Sequence, residues 1–124
     1  MNIKEIAFVS YPITDVKRAR AFYEGVLGLK PGSVWEGEKM AFIEYIIGAK
    51  GEYALAIGMG APNFKPGTTG ATAALEVEDF DKAVAELRAA KIPFLMEPMD
   101  TSVCHMVLVQ DPDGNQIMIH RRKA

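Results

Sequence analysis

Imidazoles and thiols, the groups that most readily move a proton or attack a carbonyl near neutral pH, are few in this sequence. There are two histidines, His105 and His120, and one cysteine, Cys104. His120 is the foremost titratable candidate for ligand contact. Its other reading is a strand-end imidazole beside a dimer contact. His105 reads as a surface or hydrogen-bonded residue. Cys104 reads as a small buried hydrophobe rather than a nucleophile, because reactivity requires a lowered pKa and no partner for that is evident. Asp111 and Asp113 flank Pro112 and precede Gly114. Pro presets φ for a tight turn, Gly accepts a positive φ, and the carboxylates can bond nearby amides. That acidic pair is therefore a turn device and not a general acid and base.

The bulk composition narrows the function classes. With 124 residues, 49% apolar and 24% charged, the chain has the size and balance of one globular domain. A chain of this length buries roughly two-thirds of its unfolded surface, so a partner subunit would add useful core, and a homodimer is expected. The net charge of −2 and the scatter of Lys and Arg argue against a nucleic-acid surface. The one basic cluster, Arg121-Arg122-Lys123, reads as a solvated tail. The single thiol leaves no internal disulfide or Cys-based zinc site and suits a reducing compartment. No apolar run approaches the ~20 residues of a membrane span, and the first residues lack a signal-type pattern. A cytoplasmic protein with no membrane or nucleic-acid partner is the expectation.

The elements that must position these residues follow from periodicity. Residues 3 to 11 are β-branched and aromatic and read as a strand. Asp15 is an N-cap, and Val16, Ala19, Phe22, Tyr23 and Val26 make one apolar helical stripe that Gly28 stops. Extended segments follow at 29 to 36, 39 to 48 and 52 to 59, and residues 60 to 69 form a Gly/Pro-rich linker. Beyond it a strand at 71 to 78 leads to a second cap, Asp79, and a stripe of Phe80, Ala83, Val84 and Leu87 ending near Lys91. Three more strands read at 92 to 97, 103 to 110 and 115 to 121.

The halves overlay at an offset of 64 residues, which sets Ile13 on Val77, Asp15 on Asp79, Val16 on Phe80 and Ala19 on Ala83. Repeat one spans 3–59 and repeat two 70–121. A unit of this kind cannot bury its sheet face alone, so two must associate, within the chain or between chains.

Three stretches carry a family resemblance. Asp15-Val16-x-x-Ala19-x-x-Phe22-Tyr23-x-x-Val26-Leu27-Gly28-Leu29 is similar to the first helix and exit of the vicinal oxygen chelate superfamily. This superfamily contains glyoxalase I, bleomycin- and fosfomycin-resistance proteins and extradiol dioxygenases. Leu75 to Asp81 followed by Ala83 resembles its second strand-to-helix junction, and Asp111-Pro112-Asp113-Gly114-Asn115 resembles the turn before its last strand. The resemblance implies an α+β fold over residues 1–124: two βαβββ repeats forming a cupped, barrel-like mixed sheet with helices on the convex side.

The resemblance also implies where metal ligands would stand. The first-strand position, seven residues before Asp15, is Phe8, and its counterpart before Asp79 is Thr72. The position three residues after Asn115 is Met118, and the fourth-strand position falls in Ala54 to Ala56, with Glu52 off the spacing. Divalent ions need imidazole or carboxylate donors. No metal and no other cofactor is therefore expected.

Alternation along strands then defines an expected ligand wall. Phe8 brings Ser10 with it, Thr72 brings Ala74 and Glu76, and Met118 brings His120. Cys104, Met106 and Leu108 point the same way, with His105 on the other face. Trp35, Phe42 and Tyr45 lie in strands that would close the cup, their directions open. Trp35 suits ligand stacking or plain packing equally. Such a soft wall suits a small organic ligand, although gap-filling alone accounts for seven methionines. Four functions compete. They are a metal-free sequestering protein of bleomycin-resistance type, a metal-using lyase or dioxygenase, a metal-free acid–base enzyme with His120 or Glu76 as proton carrier, and a dimerisation module. In the first, acidic walls would favour cationic ligands, with Glu36, Glu38, Glu44 and Glu76 as contributors.

Overall fold

The computed structural model describes every residue except Ile3, Glu5, Thr69 and Ala124. The chain divides into two compact units, Met1–Pro66 and Gly67–Ala124. The first unit runs β1 (Val9–Pro12), α1 (Val16–Arg20, continued by a π-helical stretch Ala21–Val26), β2 (Lys30–Glu36), β3 (Ala41–Ile47) and β4 (Glu52–Met59). The second runs β5 (Ala73–Glu76), α2 (Phe80–Ala89), β6 (Phe94–Asp100), β7 (Cys104–Gln110) and β8 (Gln116–Arg122). Each unit is a βαβββ module with a four-stranded mixed sheet, ordered β1-β4-β3-β2 and β5-β8-β7-β6. β1 pairs with β4, and β5 with β8, in parallel; the remaining pairs are antiparallel.

The repeat is visible down to its caps. Asp15 accepts a hydrogen bond from the Arg18 amide at 3.0 Å, and Asp79 accepts one from the Lys82 amide at 3.0 Å. At the 64-residue offset β5 matches β1 at both ends, α2 starts where α1 starts, and β6 matches β2 at both ends. The helix exits differ. The first leaves through Gly28 at φ 72° and the second through Lys91 at φ 59°, one residue nearer its cap. The first helix ends in a π-helical stretch and its link to β2 is one residue shorter, so both halves reach the next strand at the same distance from the cap.

One face of each sheet lies under its helix. In the first unit Ile43, Tyr45, Leu55 and Ile57 are buried there with Ala19, Phe22 and Tyr23. In the second Val107, Val109, Ile117 and Ile119 are buried with Phe80 and Leu87. The turn into β8 is a closed hydrogen-bonded unit. Oδ1 of buried Asp111 accepts from the amides of Asp113 (2.9 Å) and Asn115 (2.8 Å), while Oδ2 accepts from Asn115 Nδ2 (2.7 Å). Gly114 takes φ 86°. The turn reading thus acquires its bonds at Asp111.

Several boundaries moved. β1 starts at Val9, because its parallel ladder to β4 begins with the pair Val9 and Leu55; Ile3 and Glu5 of the expected strand lie outside the described residues. So does Thr69 of the linker. β6 continues through Pro98 to Asp100, which an edge strand with register shifts tolerates. β8 runs one residue past the expected end at 121, so Arg122 as well as Arg121 is in the strand, both exposed. No helix is long and apolar enough to cross a membrane among the described residues. Asp111→Ala should lower stability by about 2–4 kcal/mol in urea unfolding, since it strands several buried amides. A loss under about 1 kcal/mol would show that the turn closes without it.

Candidate functional site

Because side chains alternate, the buried rows under each helix dictate what stands on the other face. In the first unit the rows across the sheet are Ser10, Ala56, Glu44 and Ser33, then Pro12, Gly58, Phe42 and Trp35. Phe8 meets Phe42 edge to face at 6.1 Å. Gly58 has no side chain for a reason: a Cβ there would sit 3.0 Å from the Phe42 ring and 3.5 Å from Phe64. Trp35 is 54% exposed, and its indole leaves only 3.1 Å for a Cβ at Gly37. The Ser10 hydroxyl is buried without a hydrogen-bond partner among the described residues.

Tyr45 does not join this face. It is fully buried under the helix, stacked on Tyr23 at 5.9 Å, and its hydroxyl donates to Glu24 at 3.0 Å. Its pairing with Leu55, in the row that packs under α1, makes this direction obligatory. Burial, reinforced by the Glu24 bond, pushes the Tyr45 phenol up from its ordinary value. Glu24 in turn is bonded by Arg20 at 2.6 Å, which, with the Tyr45 hydroxyl, holds its carboxyl below the ordinary 4.5.

In the second unit two rows cross the sheet from β6 to β5. One is Met96, Leu108, Met118 and Ala74; the next is Met99, Met106, His120 and Glu76. Four methionines and a leucine therefore share a face with His120. His105 lies on the opposite face, stacked on Phe80 at 5.4 Å. Cys104 shares the face of Met106 but is buried against the Thr101 hydroxyl at 3.4 Å from its sulfur. Thr72 accepts a bond from Gln116 Nε2 at 2.6 Å. His120 Nδ1 lies 2.6 Å from Glu76 Oε1, and Glu76 Oε2 accepts from the Arg122 amide at 2.7 Å. That amide first, and His120 second, hold the Glu76 carboxyl below its ordinary range. An ionised carboxylate only accepts, so Nδ1 donates and Nε2 is the imidazole's remaining polar atom.

Five functional candidates on these faces escaped sequence reading: Met96, Met99, Gln116, the Glu76–His120 bond and Arg122. Period-two spacing from Met118 reaches Gln116 and Arg122. The β6 methionines are hidden by register shifts between Phe94 and Met96 and between Met96 and Met99. Of the four glutamates of the expected acidic wall, Glu44 stands on the first unit's open face and two others are engaged. Glu76 is occupied as described, and Glu36 lies 3.4 Å from Arg20.

The positions implied for a metal carry a phenyl ring at Phe8, methyl groups across Ala54 to Ala56, a bonded hydroxyl at Thr72 and a thioether at Met118. No three of His, Cys, Asp and Glu stand together among the described residues. This donor set does not fit a divalent ion.

The profile of the Glyoxalase/Bleomycin resistance protein/Dioxygenase superfamily matches residues 5–119. The chain belongs to that superfamily. No curated protein matches the sequence. Among solved structures of the same superfamily fold, an antibiotic binding protein, TnmS3 from Streptomyces sp. CB03234, is similar with a TM-score of 0.80 at 23% identity over 99% of both chains. The trypanothione-dependent glyoxalase I of Leishmania major is similar with a TM-score of 0.76 at 22% identity, over 96% of this chain and 87% of the other. UcmS2 is similar with a TM-score of 0.75 at 19% identity, over 96% of this chain and 98% of the other. At these identities the likeness establishes the glyoxalase-type fold.

The Arg20–Glu24–Tyr45 bonds predict an acid limb. Glu24 has a folded-state pKa below its unfolded value, so its contribution is present above about 4.5 and is lost as pH falls through the lower value. Glu24→Gln should flatten the decline of stability as pH falls below about 4.5. Parallel pH profiles of the two proteins would refute this.

Proposed function

We propose that this superfamily member binds a small organic molecule without a metal ion, in the sequestering manner of the bleomycin-resistance proteins. The observation that carries the reading is the make-up of the faces turned away from the helices. They present a phenyl ring, methyl groups, a thioether and one already bonded hydroxyl at the places where metal chemistry needs imidazole or carboxylate donors, with the indole of Trp35 on the first of these faces. Thioethers are polarisable and conform to irregular or aromatic ligands, and Trp35 and Phe42 offer flat surfaces beside one another. TnmS3, an antibiotic binding protein, shares the fold, which supports the reading. The lone buried thiol fits a reducing compartment, the cytoplasm. A homodimer is part of the proposal, with the apolar Val34 and Trp35 of edge strand β2 available for burial.

The hydrogen bond between Glu76 and His120 favours a second reading, metal-free acid–base catalysis, because a carboxylate that fixes an imidazole is the arrangement proton transfer uses. A His120→Ala protein that binds a compound but no longer converts it would move the assignment there.

Screening antibiotics and aromatic metabolites by thermal shift should produce hits. A ligand at 100 times its dissociation constant adds about 2.7 kcal/mol to stability. Elemental analysis of the purified protein should find well under one divalent ion per chain. One zinc, nickel, manganese or iron per chain would overturn the metal-free reading.

A further inference from the structure

Beside His120, on the same face as Met106 and Met118, lies a depression of about 470 Å³ lined by Ser102, Val103, Cys104, His120, Arg122 and Lys123. Its size is within the range of small-molecule sites. Two carboxylates stand near it, and both are engaged. Glu76 holds His120 Nδ1 and the Arg122 amide, with Arg121 Nη1 3.8 Å away. Asp100 is paired with Lys123, which also donates to the Thr101 carbonyl at 2.6 Å. The Arg122 guanidinium has no carboxylate within ion-pair distance among the described residues, although Glu76 is near enough to feel its charge, and Arg122 is exposed on the strand that carries His120 and Met118. A planar guanidinium is the side chain best matched to a carboxylate, which it can hold through two parallel bonds. Alongside it, the row Met99, Met106, His120 and the row Met96, Leu108, Met118 offer a soft apolar floor.

We infer that the depression of the second unit recognises the acidic group of a small aromatic acid, with Arg122 as its anion-binding residue and the ring extending from the depression over the adjoining Met106 and Met118 of the same face. This deepens the proposed binding function and rests on it. The ligand class is thus anionic and amphipathic, the reverse of the cationic ligand that a count of glutamates suggests.

The test uses three matched probes, 2-naphthoate, 2-naphthamide and 2-naphthylmethylamine, titrated calorimetrically into the full chain. Naphthoate should bind at least about ten-fold tighter than the amide, and the amine weakest of the three. Arg122→Gln should erase the preference for the acid while leaving amide affinity within about two-fold; Arg122→Lys should keep part of it. Thermal unfolding of both variants should match the parent, since the Arg122 side chain is exposed and its backbone bond to Glu76 persists. A preference for the amine or amide, or a naphthoate preference that survives Arg122→Gln, overturns the inference while the binding function stands. If neither these probes nor any member of the wider antibiotic and metabolite panel binds, the binding function falls and the inference falls with it.

Discussion

A strand sends its side chains alternately to opposite faces, and in this protein one face of each sheet is claimed by a helix. That constraint governs the rest. Once Ile43, Tyr45, Leu55 and Ile57 are pressed under the first helix, the residues between them must stand on the other side; Val107, Val109, Ile117 and Ile119 impose the same on the second sheet. Moving either register by one residue would put Glu44 or His120 into a core and Ile43 or Ile119 into water. The helix-side packing therefore decides the chemistry of the opposite face without touching it.

Two copies of one module obey this constraint with different contents. The caps, the strand order and most element bounds repeat at a fixed offset. The first helix exits one residue later, in a π-helical stretch, and a link one residue shorter keeps β2 at the repeat's offset. The faces, however, have diverged. The first unit offers aromatic rings around a glycine that lets them approach, and the second offers thioethers with one imidazole held by one carboxylate. Neither is a set of hard donors. This contrast in donors is what the proposed binding function rests on.

The polar groups on the second face are organised rather than scattered. Glu76 is bonded through both oxygens, so its charge orients His120 and anchors the end of β8 instead of waiting for a cation. Arg122, in contrast, reaches solvent beside the methionines. The side chains that line the depression beside His120 include Arg122 and Lys123 and no carboxylate. A net charge of −2 describes the average surface and says little about one depression.

Much of this was legible in the residues themselves. Asp15 and Asp79 announce their helices because a cap is a local bond between neighbours, and the Asp111-to-Asn115 turn is closed by its own side chains. The 64-residue repeat follows from the order of such signals, and the phase of β7 and β8 follows from their unbroken alternation. Tertiary structure decided what depends on register between strands distant in sequence. It turned Tyr45 under the helix onto Tyr23 and Glu24, placed Met96 and Met99 on one face across irregular pairing, and brought Glu76 to His120 over 44 positions. It also carried β8 through Arg122, because β7 supplies a ladder partner there. Local bonds are written in neighbouring residues; cross-strand neighbours exist only once the sheet has chosen its register.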